Sequence, residues 1–316
     1  APGCADDLSC GPLVRHSRTF PTRTRPFMAL RRHCWLVAML LGCQAQALVS
    51  TPTASTRQLA AELSQFGLTV LSEPQLDCAQ LQQVRQRCSS RLSALIDELS
   101  EAAVDPIEQH YTFTEIAHRQ RLRWDLRMPE GDPLWQNVCE AAVAVAMPVI
   151  EQLHPPREAA APRMLMSGVL ISRPGATAQR WHVDCDVSHL QKAADDPHCR
   201  IYNCFMPLVD IASGEDGTEF WPTSHASSAV DPALPPPTCP PVGAAVAPAC
   251  PAGGMLLADY RTMHRGLANA GRERLIAYVV LGVGKGAQDT ANFSPTAIRD
   301  TSPRVLEQLP FWSDWE

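Results

Sequence analysis

Apolar residues recur at helical spacing through the first half of the chain and give way to extended runs in the second. Arg57 to Gln65 predicts a short helix and Gly67 to Leu71 a strand. From Cys78 to Ser100 the apolar positions Leu81, Val84, Leu92, Leu95, Ile96 and Leu99 mark a longer helix, with Asp77 placed to cap it. Pro133 to Leu153 predicts another helix, stopped by the prolines of HPPRE. Strands are predicted at Met164–Ile171, ended by Arg173-Pro174-Gly175, and at Cys199–Ile211, Met255–Asp259 and Arg274–Val283, with a short extended piece at Gly217–Trp221. The segment ALPPPTCPPVGAAVAPACPAGG suits no regular element. Helices followed by turn-punctuated strands, with no internal repeat, predict an α+β domain around a β-sandwich or barrel.

The run beginning at Met28 has a different character. Arg31 and Arg32 precede ten apolar residues, Cys34 to Cys43, and then the small-residue triplet Ala45-Gln46-Ala47. That order is the pattern of a secretory signal peptide over 28–47. The expected layout is an upstream extension over 1–27, a linker over 48–57 and one domain over 58–316. That domain would divide into a helical part (58–160), a β core (161–285) and a tail (286–316). The leader implies the secretory pathway, an endomembrane lumen or, with two-step import, a plastid. The run itself is short for a bilayer, and no later stretch is expected to span one.

A formal charge of −6 and a pI near 5.9 give no basic footprint, which argues against nucleic acid as a partner. The eight cysteines beyond the leader contain no CxxC pair, which disfavours a zinc–cysteine site. Cys239 and Cys250 flank a proline-rich loop and form a candidate disulfide.

The chemistry concentrates in QRWHVDCD, Gln179 to Asp186. On a strand, His182 and Asp184 would face one side together, and Asp186 would share that face. Either aspartate could complete a metal grip. Downstream, His264 precedes a loop containing Gly266, Asn269 and Gly271, after which the chain returns as the Arg274 strand. Two imidazoles and a carboxylate with open positions form the facial set of non-haem Fe(II) oxygenases. Arg274 stands ten residues beyond His264. Its planar fork suits a carboxylate better than a lysine would. A 2-oxo acid bearing a second carboxylate, such as 2-oxoglutarate, would bridge metal and arginine.

These segments resemble the Fe(II)/2-oxoglutarate dioxygenases, and within them the phytanoyl-CoA dioxygenase-like family. The resemblance rests on QRWHVD, on NCFMPLVDI followed by GTEFWPTSH, and on LLADYRTMHRGLANAGRERL, and it covers roughly Met164 to Gly284. It implies a double-stranded β-helix with iron held by His182, Asp184 and His264, and with Arg274 on the distal carboxylate of 2-oxoglutarate. It also implies O2 and a small organic substrate as partners, hydroxylation as the outcome, and release of succinate and CO2. Iron-dependent halogenases of this fold lack the carboxylate ligand, so Asp184 disfavours that chemistry. One departure is visible: the family often has Gly-Ser before the histidine of GTEFWPTSH, where this chain has Thr223-Ser224-His225.

Around this set, Asn203 could bond the cosubstrate or a ligand, and on a strand it would face away from Tyr202. Gln179, Arg261 and Asn269 are candidates for substrate contact or for support of the ligands, and Asn269 also suits the turn before Arg274. Trp181 should pack, His225 should be structural, and His189 and His198 should flank a solvated loop. Two other readings compete. One is a catalytically silent barrel that binds a ligand. The other is a zinc hydrolase, since two histidines and an aspartate also suit zinc.

Overall fold

Helix α1 (Thr56–Phe66) is the first element among the described residues, capped by Ser55, whose Oγ accepts the amide of Gln58 at 3.3 Å. It ends at Gly67, which takes φ +78. A Cβ there would collide with His225 Nδ1 and Thr262 Oγ1, so backbone freedom and close packing both demand glycine. The next strand, β1 (Leu68–Leu71), follows at once. Helix α2 (Cys78–Glu101) starts with the predicted cap at Asp77, closed into a capping box: Asp77 Oδ1 accepts from Gln80 N at 2.8 Å and Gln80 Oε1 from Asp77 N at 2.9 Å. Helix α3 (Pro133–Leu153) carries proline in its first turn under Asp132. Contrary to the sequence expectation, α3 is long and apolar enough to cross a bilayer by length and composition. Here its Trp135, Val138, Ala142, Ala146, Val149 and Ile150 are buried in the same core as the sheet.

The computed structural model describes residues 54–155, 161–214, 216–226, 239–289 and 292–301. The expected signal peptide over 28–47 lies outside them. The sequence missed a hairpin, β2 (Ile116–Gln120) and β3 (Arg123–Arg127). It is followed by β4 (Arg163–Ser172), helix α4 (Val187–Asp195), β5 (Arg200–Pro207), β6 (Thr218–Phe220), β7 (Met255–Asp259), β8 (His264–Gly266) and β9 (Arg274–Val283). The β5 strand stops at Pro207 rather than at Ile211, because proline cannot donate to the ladder. Helix α4 occupies what looked like a solvated loop, with Asp186 Oδ1 accepting His189 N at 2.7 Å as its cap.

Seven strands pair antiparallel in the order β1-β7-β5-β9-β4-β3-β2, and β6 pairs with β8 in a second sheet. Single bridges widen the smaller sheet: Ala176 with Asn269 and His182 with His264 on one side, Phe220 with Val246 on the other. The result is a double-stranded β-helix with helices on its outer face. Alternation along β9 shows the two sides. Leu275, Ala277, Val279 and Leu281 meet the helices, while Ile276, Tyr278 and Val280 face the barrel interior with Phe205 and Phe220. Burial on both faces explains why β9 is apolar throughout. Cys239 and Cys250 are separate free thiols, the first exposed and the second buried, so the candidate disulfide does not form.

The departure at Thr223 has a structural cost. Thr223 adopts φ +69, the left-handed region, with its amide on Phe66 O at 2.8 Å. A β-branched residue there is strained by about 1–2 kcal/mol, and glycine's greater chain entropy offsets part of that. Thr223→Gly should therefore raise the thermal midpoint by roughly 2–4 °C, read by calorimetry. An unchanged or lowered midpoint would show that the turn carries no strain.

Candidate metal centre

His182 and His264 are joined through their backbones before their side chains meet. The amide of His182 donates to His264 O at 3.0 Å, and the amide of His264 donates back at 2.9 Å. This reciprocal pair sets the two rings 4.5 Å apart. Asp184 is fixed by its amide on Tyr260 O at 3.3 Å. His182, Asp184 and His264 each offer a ligand atom, and those atoms lie within 4.8 Å of one another. The segment is an extended stretch with one bridge rather than a regular strand, so ladder pairing, and not a two-residue period, brings the groups together. Asp186 is excluded from the group, since it caps α4.

Each imidazole is held in one tautomer. His182 Nδ1 lies 2.8 Å from Arg180 O and His264 Nδ1 lies 2.9 Å from Thr262 O. A carbonyl only accepts, so both Nδ1 atoms carry hydrogen and both Nε2 lone pairs are left for a cation. The two Nε2 atoms face Asp184, His182 at 3.9 Å and His264 at 3.5 Å. Burial, together with the His264 charge, pushes His182 down to about 4. Burial works against the carboxylate of Asp184, but the imidazoles of His264 and His182 and the amide of Asn203 outweigh it and hold the group well below the usual carboxylate range. Asp184 in turn outweighs burial at His264 and raises it. Asn203 Nδ2 donates to Asp184 Oδ2 at 3.3 Å, and Asn203 Oδ1 is buried without a partner among the described residues. Two nitrogen donors, one ionised oxygen donor and an orphaned buried oxygen beside them fit a non-haem metal.

A cationic corner adjoins this group. Arg274 is buried and donates to Leu267 O at 2.9 Å and to the Asp216 carboxylate. The sequence missed a second arginine, Arg123 of β3, which donates to the same Leu267 O at 2.8 Å and to Thr177 O at 3.1 Å. Arg123 forms no carboxylate pair among the described residues, and its Nε has no partner. Burial and the Arg274 charge lower it to about 9. Gln179 Oε1 accepts Gly266 N at 2.9 Å, and a Cβ on Gly266 would strike both Arg123 Nη1 and Gln179 Oε1. Two buried guanidiniums with one carboxylate between them leave room in the charge balance for one more anion. The pattern RLRWDLR held the signal for Arg123: its charges alternate with Trp124 and Leu126, as on a strand with one polar face.

The remaining candidates divide. Asn269 Nδ2 ties Ser172 O and Arg272 O together, which makes it the brace of the turn before Arg274. Arg261 pairs with the carboxylate of Asp259 at 2.9 and 2.7 Å. Tyr202 lies on the helix side, 2.7 Å from His154 Nε2, so Asn203 is the inward member of that pair. His225 is buried, with Nε2 on Ser64 O at 3.1 Å. Trp181 lies beneath the Arg265 guanidinium at 4.8 Å. The solvated loop expected around His189 and His198 is mostly helix α4, with an exposed turn left at Asp196 and Pro197. His189 is buried on α4, and His198 lies 3.4 Å from His154 Nδ1.

The profile of the phytanoyl-CoA dioxygenase (PhyH) family matches residues 67–274. No curated protein matches this sequence. Among solved structures, the non-haem alpha-ketoglutarate-dependent epimerase SnoN from nogalamycin biosynthesis is similar at 16% identity, over 79% of this chain and 96% of that one, with a TM-score of 0.49. EvdO2 from Micromonospora carbonacea var. aurantiaca, complexed with 2-oxoglutarate, is similar at 16% identity, over 82% and 98%, with a TM-score of 0.46. HygX from Streptomyces hygroscopicus, with nickel, 2-oxoglutarate and hygromycin B bound, is similar at 14% identity, over 77% and 96%, with a TM-score of 0.48.

Metal affinity should track the donor set. His264→Ala should weaken Mn(II) binding, followed by calorimetry, by at least about 100-fold, and Asn203→Ala by about tenfold through loss of the bond that orients Asp184. Full-strength binding in His264→Ala would place the metal elsewhere.

Proposed function

The chain belongs to the phytanoyl-CoA dioxygenase (PhyH) family of non-haem iron, 2-oxoglutarate-dependent enzymes, and from that premise we propose that it hydroxylates a small organic substrate, consuming O2 and 2-oxoglutarate and releasing succinate and CO2. The observation that carries this reading is the convergence of three ligand atoms within 4.8 Å, beside a buried pair of arginines that lacks one anion. His182, Asp184 and His264 would hold Fe(II), which when bound supplies the electrons and the coordination sites for the keto acid and O2.

The chain's own residues do the rest. The carbonyls of Arg180 and Thr262 keep both imidazoles in the ligating tautomer, and Asn203 fixes the carboxylate. Arg274 and Arg123 would take the distal carboxylate of 2-oxoglutarate in a fork of charge-assisted hydrogen bonds, with Gln179 lining the same corner. Phe205 and Phe220 pack against the His264 ring, at centroid distances of 6.1 and 5.7 Å, and exclude water from that side. Asp184 occupies the position whose loss is associated with halogenation, so hydroxylation is favoured. A zinc hydrolase would have no use for the two arginines. A silent barrel would have none for locked tautomers.

Anaerobic addition of Fe(II) and 2-oxoglutarate should give a visible charge-transfer band, and air should then yield succinate. Absence of both would sink this reading. Arg274→Gln and Arg123→Met should each raise the KM for 2-oxoglutarate by roughly 10–100-fold while Mn(II) affinity is held. An unmoved KM in Arg123→Met would remove Arg123 from the cosubstrate corner.

A further inference from the structure

Among the described residues, Asp216 is the only carboxylate paired with either arginine of the cationic corner. We propose that Asp216 sets the charge of the cosubstrate that this corner accepts. By cancelling one of the two guanidinium charges, it admits a singly charged distal carboxylate and discriminates against a doubly charged group of the same reach. The proposal rests on the oxygenase reading, because it concerns the end of 2-oxoglutarate that lies away from the metal.

The carboxylate is held by its own chain. Asp216 Oδ1 accepts the amide of Gly217 at 2.9 Å as well as Arg274 Nη1. Gly217 takes φ +79, and a Cβ there would strike Ile211 Cγ2, so the turn has little freedom. Strand β6 begins at the next residue and pairs with β8, Thr218 opposite Gly266. The amide of Leu267 extends that ladder onto Gly217 O at 3.0 Å. Leu267 O is the carbonyl on which both arginines converge. One short ladder therefore positions the carboxylate and both guanidiniums, which makes Asp216 a fixed member of the corner rather than a side chain that swings aside when an anion arrives.

Donors remain after these bonds are counted. A guanidinium has five N–H groups. Arg123 spends Nη2 on Leu267 O and Thr177 O, and its buried Nε has no partner among the described residues. Arg274 spends one hydrogen of Nη1 on Asp216 and one of Nη2 on Leu267 O. Carbonyls carry no net charge, so two positive charges stand against one negative. One added carboxylate brings the sum to zero, which is the condition that buried charge requires. A dianion would leave excess negative charge beside Asp216, in a corner whose arginines are 5% and 2% exposed. Replacing Asp216 by asparagine keeps the shape and the acceptor for Gly217 N, and leaves both positive charges to the ligand.

The test measures binding to the Mn(II)-loaded protein by calorimetry near neutral pH. The two probes are 2-oxoglutarate and 2-oxo-4-phosphonobutanoate, which keeps the keto-acid end and carries a phosphonate in place of the distal carboxylate. The native protein should prefer 2-oxoglutarate. Asp216→Asn should narrow that preference by about tenfold or more, and Asp216→Glu should retain most of it. The larger size of the phosphonate is common to both proteins, so the change in ratio reads charge. Asp216→Ser carries the same prediction where Asp216→Asn folds poorly. An unmoved ratio would overturn the proposal: equal weakening of both probes would make Asp216 a plain brace for Arg274, and equal tightening a plug that the cosubstrate displaces. Absence of phosphonate binding in the uncharged variants would overturn it as well. The charge-transfer band separates the two ideas. A band with an unmoved ratio rejects the role of Asp216 alone, and a moved ratio without a band rejects the oxygenase reading alone.

Discussion

The pair of backbone hydrogen bonds between His182 and His264 is the constraint on which the rest of the site depends. Neither residue lies in a long strand. His264 begins a three-residue strand, and His182 sits in a stretch with a single bridge. That bridge acts together with Ala176–Asn269, Gln120 and Arg123 on Thr177, Gln179 on Gly266 and Asp184 on Tyr260 to hold the segment from Ala176 to Asp186. Metal ligation and fold closure are therefore coupled. A cation gathering the two imidazoles and Asp184 also fastens the smaller sheet, so binding free energy appears partly as stability.

The interior of the barrel is unusually polar for a sheet buried on both sides. On its inner face Asp125 accepts from Arg119 at 2.6 Å and from Tyr278 Oη at 2.8 Å, and Arg119 reaches on to Asn292 O at 3.0 Å. Asn292 then joins Asp289 and Tyr260. This belt runs from the β2–β3 hairpin through the segment after β9, which the sequence suggested was only a tail. Its members bond one another, which offsets the cost of burying their charge. It also reaches the metal group, because Tyr260 O accepts the amide of Asp184 at 3.3 Å.

Much of the scaffold was legible in the sequence. Strand β9 announced itself as a continuous apolar run, and α2 carried its cap and its periodic stripe in plain view. The hairpin β2–β3 did not, because a strand whose inner side chains are Arg123, Asp125 and Arg127 looks like a solvated surface until a buried partner is known. Helix α4 was hidden for a related reason: KAADD is polar, and its one deeply buried histidine carries no periodic signal. The ligand triad could be read by residue type, but the i, i+2 argument behind it was mistaken in mechanism, since pairing with β8 does the positioning. Arg123 escaped because a guanidinium without a carboxylate partner leaves no companion to search for.

The geometry of β8 bears on what such a site can select. His264, a metal-binding candidate, stands at its first residue, and Leu267, where Arg123 and Arg274 meet, follows directly after its last. The interval between metal and cationic corner is thus spanned by extended backbone, whose length is nearly inelastic. Gly266 lies within that interval, and any side chain there would strike Arg123 and Gln179. A keto acid gripped at both ends must match a distance set by the main chain rather than by adjustable side chains.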